Sequence, residues 1–208
     1  MRTTRLLALL VAPLLASLLT GCLGVVAVGA GTAALSAADR RTTGTQIEDE
    51  RIELVCSNRF SERFGDKAHV NATSYNRTVL LTGEVPDEKA KADAEGIVRG
   101  QPNVRGIVNE LQVAGVSSLT SRASDSGITG KVKARFLDSN KFSPLVVKVV
   151  TEASIVYLLG IVTDDEANAA VEVARTTGGV RKVVKVFEYC KPADPACAPP
   201  AKKEEPKK

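Results

Sequence analysis

Apolar positions recur along this chain at two alternating spacings. Ile52, Cys56 and Phe60 stand four residues apart, and so do Ile128, Val132 and Phe136. That spacing holds side chains on one stripe of an α-helix, so each half of the chain is predicted to carry an amphipathic helix there. Extended segments follow each stripe. In the second half they are Leu145–Val150 and Ile155–Val162, rich in the β-branched residues that suit a pleated, half-buried surface. Gly83 and Gly160 are expected to end the second strand of each pair. Asp87 and Asp164 precede alanine-rich stretches and are placed at helix starts, where carboxylates accept free N–H groups. Closing strands are predicted over Val104–Val113 and Val180–Tyr189.

The two halves match residue by residue. At an offset of 77, Val79, Gly83, Val85, Asp87, Ala90, Ala92 and Glu95 meet identical residues. At an offset of 76, Val104, Arg105 and Val108 meet Val180, Arg181 and Val184, and the first-helix stripe aligns with its copy. A repeat of this length is one folding unit used twice. The predicted fold class is α+β: two tandem αββαβ domains, each a three-stranded mixed sheet packed by two amphipathic helices. The expected division is 46–114 for the first domain, 115–124 for a linker, and 125–190 for the second domain.

The N-terminal pattern is different. Arg2 and Arg5 precede fourteen nearly all-apolar residues, Leu6 to Leu19. This is the plan of a secretory signal peptide and is too short for the ~20 apolar residues a spanning helix needs. Leu19-Thr20-Gly21-Cys22 resembles the bacterial lipobox. The resemblance implies cleavage after residue 21 and covalent lipid on Cys22, the only cofactor-like group expected. Leu23 follows the cysteine, which by the sorting rule for such lipoproteins implies the outer membrane. Residues 22–45 are small-residue-rich and read as a tether.

The G-x-V-x-(D/E) turn, the alanine helix and the "GV-R-x-V" strand resemble the BON domain. Two copies behind a lipobox resemble the dual-BON outer-membrane lipoproteins, over Cys22 to about Tyr189. The resemblance implies a non-enzymatic protein on the periplasmic face of the outer membrane that binds anionic phospholipid and supports envelope integrity. Outer-membrane assembly or cell-division envelope proteins are the further partners it suggests. Relatives can carry a bulky aromatic just before the Ile-Thr pair of the second domain, where this chain has Gly127.

Composition narrows the function classes. Apolar residues make up 44%, enough for globular cores, while 4% aromatics and no Trp argue against an aromatic-lined groove for sugar or nucleic acid. A net charge of +4 is too small to point to nucleic acid. Residues 46–114 carry nine basic and twelve acidic side chains, whereas 121–190 carry ten basic and eight acidic. The proline- and lysine-rich stretch 191–208 lacks apolar periodicity and reads as disordered.

No catalytic set is legible. His69 is the only histidine, and no Cys/His spacing makes a metal site. An oxidising compartment allows disulfides. Cys190 and Cys197 close a short loop and could bridge; Cys56–Cys190 is the alternative, with Cys56 on the core stripe reading as a small apolar residue.

The first helix of the second repeat carries one further signal. At ~100° per residue, with Ile128 at zero, Lys133 and Leu137 fall at ~140° and ~180°, well away from the core stripe. An outward leucine one turn from a lysine suits a membrane interface, and Lys141 and Phe142 would extend the patch. The matching positions of repeat one are Ser57 and Ser61. The candidate phospholipid site is therefore Lys133, Leu137, Lys141 and Phe142.

Overall fold

A computed structural model describes residues 39–191 together with 193, 194 and 197. Repeat one contains α1 (Thr43–Phe64), β1 (His69–Tyr75), β2 (Thr78–Val85), α2 (Glu88–Arg99), β3 (Gly106–Asn109) and β4 (Gln112–Val113). Repeat two contains α3 (Leu119–Ser139), β5 (Val147–Glu152), β6 (Ile155–Val162), α4 (Asp164–Arg175) and β7 (Lys182–Tyr189). In each, a hairpin pairs antiparallel and the last strand joins the hairpin's second strand in parallel. β3 and β4 lie in line along β2, interrupted where Leu111 turns into the core.

The two helical stripes do what their spacing predicts. Ile52, Cys56 and Phe60 enter one core with Val79, Leu81 and Val85; Ile128, Val132 and Phe136 enter the other with Val156, Leu158 and Val162. Burial holds the free Cys56 thiol up at about 11, so it behaves as an apolar side chain.

Both stripes begin one turn earlier with a buried aspartate that the apolar pattern does not reveal. Asp49 accepts hydrogen bonds from the Asn76 and Arg77 N–H groups, at 2.8 and 2.7 Å, and from Ser74 Oγ at 2.6 Å. Asp125 accepts from the Ala153 and Ser154 N–H groups at 3.0 and 2.8 Å. Those four donors belong to the two-residue hairpin turns, where every turn residue has positive φ. Such turns match strand twist but strain non-glycine residues. In each repeat, the helix carboxylate satisfies the exposed turn amides and fixes the turn.

Several boundaries differ from the sequence expectation. Gly83 and Gly160 lie inside β2 and β6 rather than at their ends. A Cβ at either position would strike a backbone carbonyl, of His69 at the start of β1 or of Val146 just before β5, so these glycines permit close approach of the neighbouring backbone. Asp87 caps α2 by accepting from Ala90 N–H, but Thr163, not Asp164, caps α4, in a reciprocal box with Glu166. α3 starts at Leu119 behind a Ser118 cap, inside the stretch read as linker, and α1 starts at Thr43, inside the stretch read as tether. Polar first turns hid both starts.

The sheet faces not covered by helices pack against each other. Tyr75 and Leu80 of repeat one meet Tyr157 and Leu159 of repeat two, with Val108, Val150, Ile161 and Val186 around them. Arg40 straps the entry to α1 onto repeat two: its guanidinium forms two bonds to Glu166, at 2.6 and 2.9 Å, and a third to the Ile161 carbonyl at 2.8 Å. Burial opposes ionisation of Glu166, but Arg40 outweighs it and holds that carboxyl below its ordinary range.

Candidate functional site

α3 turns its core stripe inward, so Lys133 and Leu137 stand on its outer side. Leu137 is 63% exposed. Beyond the helix, Asn140 adopts a left-handed conformation and a single turn, Pro144–Val146, brings Leu145 back beside Leu137 at 44% exposure. Between them lies a groove of about 370 Å³. Phe136, Val147 and Tyr75 contribute to its lining, and Lys133, Lys148 and Arg41 are its cations.

These cations are not equivalent. Arg41 stacks over Tyr75 at 4.1 Å and bonds to Asp39 and Asp49. Burial works against its charge, but the two aspartates hold its guanidinium above the ordinary range. Lys148 Nζ lies 2.7 Å from Glu53 Oε1, across the seam between repeats. Lys133 and Lys141 make no ion pair among the described residues, and both are exposed. The groove thus combines two exposed leucines with an unpaired lysine on its rim.

Of the four residues singled out from sequence, Lys133 and Leu137 line this groove. Lys141 is exposed just past the helix end. Phe142 departs from the expectation: it is half-buried, with its ring edge-on to Phe136 at 5.0 Å, and it belongs to the core side of the turn. Gly127 lies exposed in α3 with open space where a side chain would stand. Of the groove residues missed by sequence, Leu145 is brought back by the turn after α3, and Tyr75 comes from the other repeat. Cys22 lies outside the described residues.

Repeat one has a matching groove lined by Ser57, Phe60, Ser61, Phe64, Ala68 and Val70. Its volume is about 140 Å³. Phe64 leans toward Phe60 with ring centres 6.3 Å apart, where repeat two has Asn140. The same fold position is therefore narrow and serine-rimmed in one repeat, open and leucine-rimmed in the other.

Elsewhere, Cys190 and Cys197 have Cα atoms 6.0 Å apart with their sulfurs in contact, and Cys56 is free. Cys197 is buried and its carbonyl accepts from Arg40 at 3.3 Å. His69 sits at the seam between the sheets beside Glu84 and Glu152, a grouping that no short sequence spacing could signal. Among the described residues no helix is long and apolar enough to cross a membrane.

The BON domain model matches residues 48–115 and 124–191. Outer membrane lipoprotein DolP of Haemophilus influenzae is 41% identical over 173 residues, covering 82% of this chain and 90% of its own. The 21 kDa hemolysin of Actinobacillus pleuropneumoniae is 35% identical over 73% of this chain and 79% of its own. A solved chain of CdsD, a structural protein of the type III secretion system of Chlamydia trachomatis, aligns over 70% of this chain and 92% of its own, but at 13% identity and a TM-score of 0.29, too low to carry an argument. Two domain matches in tandem, together with the extent of identity to an outer-membrane lipoprotein, establish that this chain belongs to the BON-domain family, among the dual-BON outer-membrane lipoproteins.

Proposed function

We propose that this protein is a lipid-tethered binding module, without catalytic activity, whose second BON domain engages anionic phospholipid on the periplasmic face of the outer membrane and so supports envelope integrity. The observation that carries the reading is the α3 groove, where Leu137 and Leu145 stand exposed beside an unpaired Lys133. Leucine side chains entering acyl chains gain about 25 cal/mol per Å² of apolar surface buried, and each lysine near an anionic surface adds about 1 kcal/mol. Covalent lipid on Cys22 supplies the permanent anchor. Sixteen residues, seventeen residue-to-residue steps, separate Cys22 from Asp39; at ~3.3–3.6 Å per extended step the tether reaches ~55–60 Å at most. Repeat two can thus meet the same leaflet that holds the anchor.

The test is co-sedimentation of the unlipidated chain, residues 23–208, with phosphatidylglycerol and with phosphatidylcholine vesicles at two salt concentrations. Preferential, salt-weakened binding to the anionic vesicles is expected. Equal binding to both, or to neither, would overturn the reading.

One observation favours a second reading, a protein adaptor docking through repeat one. Ile47 and Leu54 are seven residues apart on α1, 63% and 64% exposed, and Glu50 and Glu53 lie beside Leu54. An apolar stripe among carboxylates suits a basic, apolar partner such as an outer-membrane assembly or cell-division envelope protein. Loss of partner capture on Leu54→Asp, with vesicle binding unchanged, would favour it.

A further inference from the structure

The seam between the repeats brings three metal-ligating side chains together. His69 stands on β1, Glu84 on β2 and Glu152 at the end of β5, so two come from repeat one and one from repeat two. His69 Nδ1 lies 3.3 Å from Glu84 Oε2 and 3.9 Å from Glu152 Oε1, and one donor atom from each residue lies within 4.8 Å of the others. Both carboxylates are nine-tenths buried, at 5% exposure each. Among the described residues no lysine or arginine pairs with either; His69 is their one ion-pair partner. Burial, with Glu84 and Asp125 close by, holds the Glu152 carboxyl above its ordinary range despite His69 and Asn71.

Two buried carboxylates facing one imidazole form an unusual seam. Burying charge without compensation is costly, and the centre of this interface is an apolar cluster of Tyr75, Leu80, Tyr157 and Leu159. We propose that His69, Glu84 and Glu152 form a divalent transition-metal site, of zinc type, that staples the two BON domains across their sheet-to-sheet seam.

The donor set and its spacing both fit. Zinc takes imidazole nitrogen and carboxylate oxygen at ~2.0–2.2 Å, which in a tetrahedron puts neighbouring donors ~3.3 Å apart. The His69–Glu84 distance already has that value, the His69–Glu152 distance is 3.9 Å, and all three donors lie within 4.8 Å of one another. Outer partners are in place. Ser117 N–H donates to Glu84 Oε2 at 3.2 Å, and the Asn71 amide bonds to Glu152 Oε2 at 3.1 Å while lying 3.2 Å from His69 Nε2. With the ion on Nδ1, the ring proton sits on Nε2. A fourth position is left for water. The site is independent of the phospholipid reading, because it lies on the opposite sheet faces from α3.

The test is zinc titration of the full chain in detergent micelles, by calorimetry, with thermal unfolding followed in parallel. One equivalent should bind, and zinc should raise the unfolding midpoint. Glu152→Gln keeps the side-chain shape, so it should fold, yet it should weaken zinc by at least ~100-fold, beyond the ~10–100-fold typical of losing an outer-shell partner. Cobalt in place of zinc should give visible ligand-field bands that Glu152→Gln and His69→Ala abolish. Absence of stoichiometric zinc binding by the wild-type chain would overturn the proposal. So would zinc affinity or cobalt bands left unchanged by a folded Glu152→Gln.

Discussion

Repeats one and two share a backbone plan but not a surface. On α1, the positions outside the core stripe near its end are Ser57 and Ser61; on α3 they are Lys133 and Leu137. Phe64 crowds the first groove to about 140 Å³, whereas the second opens to about 370 Å³ with Leu145 on its rim. The core residues hardly differ in role. Duplication therefore preserves what folds the domain and leaves the outward face of one helix free to diverge. The two outward faces differ at a few residues that contribute nothing to either core.

The buried aspartates offer the largest test of this equivalence. Asp49 holds Ser74, two turn amides and Arg41, whereas Asp125 holds two turn amides alone. Asp49→Ala should destabilise by about 3–5 kcal/mol, since it removes the partner of three buried or turn donors and one of the two carboxylates that hold Arg41. Asp125→Ala should cost about 2–3 kcal/mol. Urea unfolding of both variants would measure the gap; equal costs would mean that neither the Arg41 nor the Ser74 contact contributes.

The Arg40 strap distinguishes the repeats by pH. Position 89, which matches Glu166, is lysine, so repeat one has no counterpart. The Glu166 carboxyl is depressed in the folded state. Its contribution is therefore full above the ordinary carboxyl value of 4.5 and is lost as pH falls through the lowered folded value. Arg40→Ala should cost about 1–3 kcal/mol at neutral pH and progressively less in acid, as read from melting curves across that range. A cost that does not fall with pH would remove the ion pair from the account.

The smallest effect is at the hairpin turns. Ala153 has φ of 49°, where Asn76 has 51° in repeat one. Asparagine tolerates the left-handed region far better than alanine. Ala153→Gly should stabilise by about 1 kcal/mol. Asn76→Gly should gain nothing, because it also removes the 2.7 Å bond from Asn76 Nδ2 to Glu188. Thermal unfolding of the two variants tests the contrast.

Much of this fold is written in the chain. The i, i+4, i+8 stripes of Ile52 and Ile128, the β-branched run Ile155–Val162 and the offset between halves specify both domains, because apolar periodicity is a local signal. The polar first turns of α1 and α3 carry no such signal, so their starts escaped. Asp49 and Asp125 escaped for a different reason: a buried carboxylate is recognisable only once its turn partners, 27 to 29 residues away, are known. At the candidate site the helix wheel located Lys133 and Leu137. Phe142 misled because a turn residue has no helical phase, and Leu145 and Tyr75 depend on how separate elements meet.

The central claim is that the outward face of α3, and not that of α1, binds the membrane. Its most direct measurement is vesicle binding by the unlipidated chain carrying Lys133→Ser and Leu137→Ser, which gives repeat two the surface of repeat one. Losing about 1 kcal/mol for the lysine and about 1.5–3 kcal/mol for an inserted leucine predicts roughly 70- to 900-fold weaker binding to phosphatidylglycerol vesicles, with the unfolding midpoint unchanged. Undiminished binding by the folded double variant would contradict the account and move the membrane contact elsewhere on the protein.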